Sequence, residues 1–285
     1  MKHTKKLIPA IGMLLLSACM LVTSTFAWFS MNEKVTATGM SVTAKGDQVY
    51  LQIINPNAPG TEEEPKAFVN GAAQTSAKAT TATTPLLPVN VVKSINQPTT
   101  EGSGESAVTT YSCTAYDGTG TFKWVTNVGV SNTNGSASKQ YDEVTADFAN
   151  YYLKNTFHLR LDPTAGAPSS PALRVAGITV NASNKDFQKC LSVLVVSTVK
   201  NNEDGATVST KGQVWEYNGS EFVNKTTSVT ALSADTFSAT TYAEVDIYVF
   251  FNGDNQYCTQ AMLALAADIQ YDVAVSFTVA AQQGN

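Results

Sequence analysis

Few side chains in this sequence are equipped for catalysis or metal binding. The 285 residues include two histidines, His3 in an apolar N-terminal leader and His158 in the strand-like stretch NTFHLRL. A zinc site needs more nitrogen or sulfur ligands than this, and no CxxC pair supplies them. A Ser–His–Asp triad would have to use His158, and no GxSxG elbow accompanies it. We therefore expect His158 to be an ordinary strand residue, the chain not to be an enzyme, and no cofactor to be bound.

The cysteines allow a different kind of chemistry. Three of the four, Cys113, Cys190 and Cys258, lie beyond the leader. Disulfides persist outside the cytoplasm, and with three thiols one must stay free or pair between chains. Cys190 and Cys258 both fall at the ends of predicted core strands, which favours a disulfide between them. Three buried free thiols are the alternative.

The aromatic residues Trp215, Tyr217 and Phe222 flank a predicted hairpin in the stretch VWEYNGSEFV. Exposed aromatic side chains in β-sandwiches often contact sugars, so these three are candidate ligand contacts. Trp124, in FKWVTNVGV, is another candidate, and packing in the core is the alternative for it.

The charge pattern excludes one class of partner. Charged residues make up 14% of the chain and the net charge is −5, whereas soluble globular chains have about 25% charged residues. Nucleic-acid binding requires a basic stripe. The basic residues beyond the leader are scattered, so no nucleic-acid partner is expected.

Residues 1–27 are predicted to be a signal peptide or a membrane-anchor helix. The basic start MKHTKK precedes an almost uncharged run from Leu7 to Phe29, which is typical of an export signal or a single membrane span. Three fates remain open: cleavage between Ala27 and Trp28, lipidation at Cys19, or retention as an anchor. In each case the chain is exported, and it contacts the membrane only through this leader.

Beyond the leader, alternating apolar residues predict about ten strands and no strong amphipathic helix. The clearest patterns are a strand over about Val35 to Ala44, a near-strict alternation in YYLKNTFHLRL, and an almost continuous apolar run in CLSVLVVSTV. Val245, Ile247, Val249 and Phe251 share one strand face, as do Val273, Val275, Phe277 and Val279.

Asn218-Gly219 predicts a type I′ hairpin turn. Residues 55–84, rich in Pro, Gly, Ala and Thr, predict a long exposed loop. These patterns predict an all-β sandwich or barrel over residues 28–285 as a single domain.

The two ends of the chain resemble the TasA–camelysin family of biofilm-matrix fibre and cell-surface proteins. The likeness lies in Thr25-Phe26-Ala27-Trp28-Phe29-Ser30, in the following VTATGMSVTAK, and in the closing stretches VDIYVFFNGDNQYCT and DVAVSFTVA. The resemblance implies a jelly-roll-like antiparallel β-sandwich, processing by a signal peptidase of the SipW type, and assembly into fibres.

A chain cut at Ala27 would begin with an apolar, β-prone arm that includes Trp28, Phe29, Val35 and Val42. Such an arm can remain in its own sheet or add to the open edge of a neighbouring copy. We therefore expect an exported structural protein that forms homopolymeric fibres, extracellular or at the cell surface. The alternative is a secreted or membrane-anchored adhesin, a carbohydrate-binding module that uses Trp215, Tyr217 and Phe222.

Overall fold

A computed structural model describes residues 36–45, 51–54, 74–77, 80–81, 86–103, 107–131, 137–161, 172–182, 186–233, 237–259 and 270–280. Its regular elements are strands, apart from the short 3-10 turns Phe148–Asn150 and Phe187–Cys190. The predicted all-β class is therefore confirmed over this part of the chain. The predicted leader helix lies outside the described residues.

The strands are numbered in chain order. They are β1 (Thr36–Lys45), β2 (Leu51–Ile54), β3 (Gln74–Ala77), β4 (Thr80–Thr81), β5 (Asn90–Ile95), β6 (Thr99–Glu101), β7 (Val108–Thr110), β8 (Cys113–Ala115), β9 (Lys123–Ser131), β10 (Ala137–Glu143), β11 (Tyr152–Leu161), β12 (Ala172–Ala182), β13 (Leu191–Asn201), β14 (Thr207–Tyr217), β15 (Phe222–Asn224), β16 (Thr241–Phe251) and β17 (Gln270–Ala280).

Three main sheets are formed. The central sheet is antiparallel, with strand order β15-β14-β13-β16-β11-β2. The terminal sheet has the order β12-β17-β1-β3, and β4 also pairs with β1. The outer sheet has the order β10-β9-β5-β8 and is antiparallel, and β6 and β7 form a separate two-stranded ribbon.

The central sheet has apolar side chains buried on both faces, since successive side chains of a strand point to opposite sides. On β13, Val193 and Val195 belong to the core shared with the terminal sheet, whereas Leu194 and Val196 belong to the core shared with the outer sheet. The almost continuous apolar run from Leu191 to Val196, interrupted only by Ser192, is thereby explained, since both sets of side chains are buried. The three main sheets therefore form three layers with two cores between them.

The predicted strand faces are confirmed. Leu153, Phe157, Leu159 and Leu161 of β11 are buried, as is the predicted face of β16. The predicted face of β17 is buried in the same core. Trp124 is 6% exposed and lies in the core between the central and outer sheets, so its core-packing alternative is the correct one.

Two predictions need correction. Residues 74–77 and 80–81, inside the predicted loop 55–84, form β3 and β4 and pair with β1. Strand pairing uses backbone groups, so a segment rich in Thr and Ala can join an edge without an apolar pattern. The Asn218-Gly219 hairpin between β14 and β15 is confirmed, but its type I′ turn is wrong, because Gly219 alone of the two has a positive φ. The Asn218 side chain instead accepts hydrogen bonds from the backbone N–H groups of Ser220 and Glu221.

Candidate functional site

The strand β1 occupies an interior position in the terminal sheet. It runs parallel to β17, from Thr36 opposite Gln270 to Lys45 opposite Thr278, with one register shift between Ala37 and Gly39. On its other side, β1 pairs antiparallel with β3 and β4. The first and last described strands of the chain are thus hydrogen-bonded neighbours.

The partner strand β17 belongs to the core. Tyr271, Val273, Val275 and Phe277 are at most 1% exposed, and β12 covers the other edge of this strand. Among the residues predicted for the assembly arm, Val42 lies in β1 opposite Val275. Trp28, Phe29 and Val35 lie outside the described residues, as does the predicted cleavage site at Ala27.

The predicted ligand-contact aromatics lie around a groove of about 710 Å³. This groove is bordered by β12 and β15, and its lining includes Trp215 and Phe222. Phe222 is 7% exposed and belongs to the core, and its ring packs on that of Tyr217, with 5.7 Å between the centroids. The indole N–H of Trp215 donates to Gln213 Oε1 at 3.2 Å. The structure therefore brings two of the three aromatics to one groove, with little of Phe222 left for a ligand.

Cys190 and Cys258, the predicted disulfide pair, are buried near each other. The Cys190 thiol donates a hydrogen bond of 3.2 Å to the carbonyl oxygen of Tyr257, the residue that precedes Cys258. Burial raises the pKa of Cys258 to about 12, and the charge of an ionised Cys190 raises it as well. Neither cysteine forms a disulfide in the structure. The disulfide stays a prediction, since adjacent buried thiols are compatible with it and with the free-thiol alternative.

His158 lies in β11, within a row of charged groups on the central sheet. Its Nε2 atom is 3.5 Å from Glu244 Oε2, and Lys200 Nζ is 2.8 Å from the same oxygen. Burial lowers the pKa of His158, and Glu244 raises it by less. No group of three or more His, Cys, Asp or Glu side chains placed to hold a metal ion occurs among the described residues.

A second cavity lies between the outer and central sheets, and it is called the polar cleft below. Its volume is about 330 Å³, and its polar lining includes Asn90, Glu216, Lys225, Asn252 and Asp254. These residues come from β5, from β14, from the segment after β15 and from the segment after β16. Sequence reasoning missed this set, because isolated polar residues at strand ends are typical of turns.

Within the part of the chain that the structure describes, none of the elements is a helix of the length and hydropathy needed to cross a membrane.

Comparisons with known proteins give little further information. No protein-family model matches the chain, and no curated protein matches it. Among solved structures, the crystal structure of BcpA, the major pilin subunit of Bacillus cereus, aligns over 86% of this chain and 69% of its own, with 9% identity and a TM-score of 0.11. A likeness at this TM-score carries no argument about fold or function.

Proposed function

We propose that this chain is an exported structural protein whose copies assemble into fibres by exchanging β1. The observation that carries the proposal is the interior position of β1, between β17 on one side and β3 and β4 on the other. The proposal includes a jelly-roll-like sandwich for residues 28–285. It also includes removal of the leader at Ala27 by a SipW-type signal peptidase.

The physical argument concerns the edge that β1 covers. Without β1, the backbone N–H and C=O groups of β17 from Gln270 to Thr278 would lose their partners on that side. An open edge of this kind recruits another strand. The β1 strand of a second copy carries the same residues and can adopt the same parallel register. Pairing within one chain and pairing between chains therefore compete for the same edge, as in domain swapping.

A cross-linking experiment tests the exchange. Thr43 and Ser276 are opposite each other in the β1–β17 register. A chain beginning at Trp28 is prepared with Thr43→Cys, with Ser276→Cys, or with both, in a Cys113→Ser background that removes the half-buried native thiol. Exchange predicts that an oxidised mixture of the two single variants forms cross-linked dimers. It also predicts that fibres appear by negative-stain electron microscopy at high concentration.

The double variant is the matched control, because a bond within one chain would fix β1 in its own sheet and block fibres. A further chain beginning at residue 46 lacks the arm and β1, and it should not form fibres. The proposal would be contradicted if the chain that begins at Trp28 stayed monomeric and cross-links formed only in the double variant.

The second candidate function is a carbohydrate-binding adhesin, and the groove beside Trp215 and Phe222 favours it. A sugar ring stacked on Trp215 would bury apolar surface on the indole face. Saccharide binding that is lost in Trp215→Ala and retained in Tyr217→Phe would support this use of the groove. Unchanged binding in Trp215→Ala would exclude it.

A further inference from the structure

The polar cleft holds a carboxylate fixed by a buried amide. The side-chain N–H of Asn252 donates to Glu216 Oε1 at 2.6 Å, and Asn252 is only 5% exposed. The side-chain oxygen of Asn252 accepts the backbone N–H of Asp254 at 3.0 Å. A carboxylate offers about four acceptor positions. The fixed Glu216 therefore keeps capacity for a ligand's hydroxyl groups.

A second carboxylate at the cleft is fixed from the outer sheet. Asp254 accepts a hydrogen bond from the side-chain amide of Asn90, in β5, and another from that of Asn127, in β9, at 2.7 Å. The two asparagines therefore tie the segment after β16 to the outer sheet. Their effect is to set the position of Asp254 before any ligand arrives, which lowers the entropic cost of binding.

One donor at the cleft remains available. Lys225 is exposed, and in the described parts of the chain its ammonium makes no ion pair or hydrogen bond. Tyr116 also lines the cleft, but its hydroxyl oxygen is fully buried over Gly212, so a ligand in the cleft does not reach it.

We propose that the polar cleft binds a saccharide of one or two rings. Each sugar hydroxyl both donates and accepts, so it requires the adjacent carboxylates, amides and ammonium that this cleft provides. The C–H faces of a sugar ring are apolar and fit the remaining lining, which includes Val91, Val214 and Tyr141. The cavity volume of about 330 Å³ is at the lower end of the range for ligand pockets. Two carboxylates disfavour a phosphate or another anion, and Lys225 disfavours a simple cation.

This inference is independent of strand exchange, because none of the cleft residues lies in β1 or β17. It also differs from the adhesin alternative, in which Trp215 would contact the sugar in the groove. The two sites can therefore be separated by variants of single residues.

The test uses the purified full-length chain in detergent. Saturation-transfer-difference NMR screens glucose, galactose, N-acetylglucosamine, N-acetylgalactosamine, cellobiose and chitobiose, and titration calorimetry measures the Kd of any that bind. Glu216→Gln keeps an oxygen for Asn252 and removes the charge, and Lys225→Met alters a side chain with no partner in the described structure. Each should weaken binding about tenfold, which is typical for a hydrogen bond to a charged group.

Glu203→Gln makes the same chemical change in the turn at the opposite end of the β13–β14 hairpin and should leave the Kd unchanged. Trp215→Ala should also leave it unchanged. The proposal is overturned if none of the six saccharides binds saturably, or if Glu216→Gln and Lys225→Met bind as the unaltered chain does. Binding abolished by Trp215→Ala alone would likewise overturn it and would assign the sugar to the groove.

Discussion

At the scale of single residues, Gly118, in the segment between β8 and β9, lies directly against Gly212 of β14 in the central sheet. Its carbonyl oxygen accepts the N–H of Gly212 at 2.9 Å. Its φ is +83°, and a Cβ atom there would lie 2.4 Å from the carbonyl oxygen of Gly212 and 2.6 Å from Val229 Cγ2. Glycine is therefore required at this position both by the backbone conformation and by the space.

We expect Gly118→Ala to lower the free energy of unfolding by about 2 to 4 kcal/mol, from backbone strain together with overpacking. Gly120→Ala is the matched control, since Gly120 also has a positive φ, +69°, but no atom lies within 4 Å of the added Cβ. It should cost about 1 kcal/mol. Urea unfolding of both variants measures the difference. Equal losses would show that contact with Gly212 is unimportant.

His158 gives a pH dependence whose sign follows from its surroundings. Burial lowers its pKa from the ordinary value of 6.5, Lys200 lowers it further, and Glu244 and Asp246 oppose this shift without cancelling it. The unfolded chain therefore binds a proton more readily than the folded one. The contribution of His158 to the free energy of unfolding is complete above pH 6.5. It is lost as the pH falls from 6.5 through the lower pKa that His158 has in the folded state.

Urea unfolding at pH 7.5 and at pH 5.5 tests this dependence. The unaltered chain should lose stability on acidification, and His158→Gln should lose less, because the titrating group is gone. His3 is the one other histidine in the sequence and serves as the control position. An unaltered chain that becomes more stable at pH 5.5 would mean that the Glu244 interaction outweighs burial.

At the scale of elements, β16 connects the two cores through adjacent residues. Phe250 is fully buried between the central and outer sheets, and its ring centroid is 5.1 Å from that of Trp124. Phe251 is fully buried on the opposite face, 5.2 Å from Phe187. Two neighbouring phenylalanines therefore report on different layers.

We expect Phe250→Ala and Phe251→Ala to destabilise the protein by similar amounts, about 3 to 5 kcal/mol each. Their effects on Trp124 should differ. The Trp124 indole N–H resonance, assigned with Trp124→Phe, should shift strongly in Phe250→Ala and little in Phe251→Ala. Similar shifts in both variants would contradict the assignment of the two residues to separate cores.

The elements that could be predicted from the sequence are those that bury a regular pattern. The alternating faces of β11, β16 and β17 and the continuous run of β13 follow from burial on one or both sides. The weak strands β3 and β4 could not be recognised, because their place in the sheet depends on hydrogen bonds to β1 rather than on apolar side chains. The parallel pairing of β1 with β17 joins residues more than 200 positions apart, and no local pattern encodes it.

The candidate sites, like the strands, could be predicted from the sequence only in part. Trp215 and Phe222 were identified as ligand contacts from their residue types, and they do share a groove. Their burial was not evident, because the hairpin that carries them packs on a core formed by distant strands. Asn90, Glu216 and Asp254 had no sequence signal, since the polar cleft exists only once the outer sheet is placed on the central sheet.

At the scale of the whole molecule, the central sheet is common to both cores. Loss of order in β13 would remove Val195 from one core and Leu194 from the other at the same time. Neither the terminal sheet nor the outer sheet has another sheet on which to bury its apolar face in the described structure. The three layers should therefore unfold as a single cooperative unit.

Probes on the two sides of the central sheet test this cooperativity. The Trp124 indole resonance reports on the outer core, and labelling of the Cys190 and Cys258 thiols reports on the core shared with the terminal sheet, since burial raises their pKa values to about 11 and about 12 and keeps them unreactive. In a Cys113→Ser background under reducing conditions, both probes should give the same urea midpoint. Loss of the Trp124 resonance at a lower urea concentration than thiol exposure would show that the outer sheet detaches first. The shared sheet would then not couple the two cores.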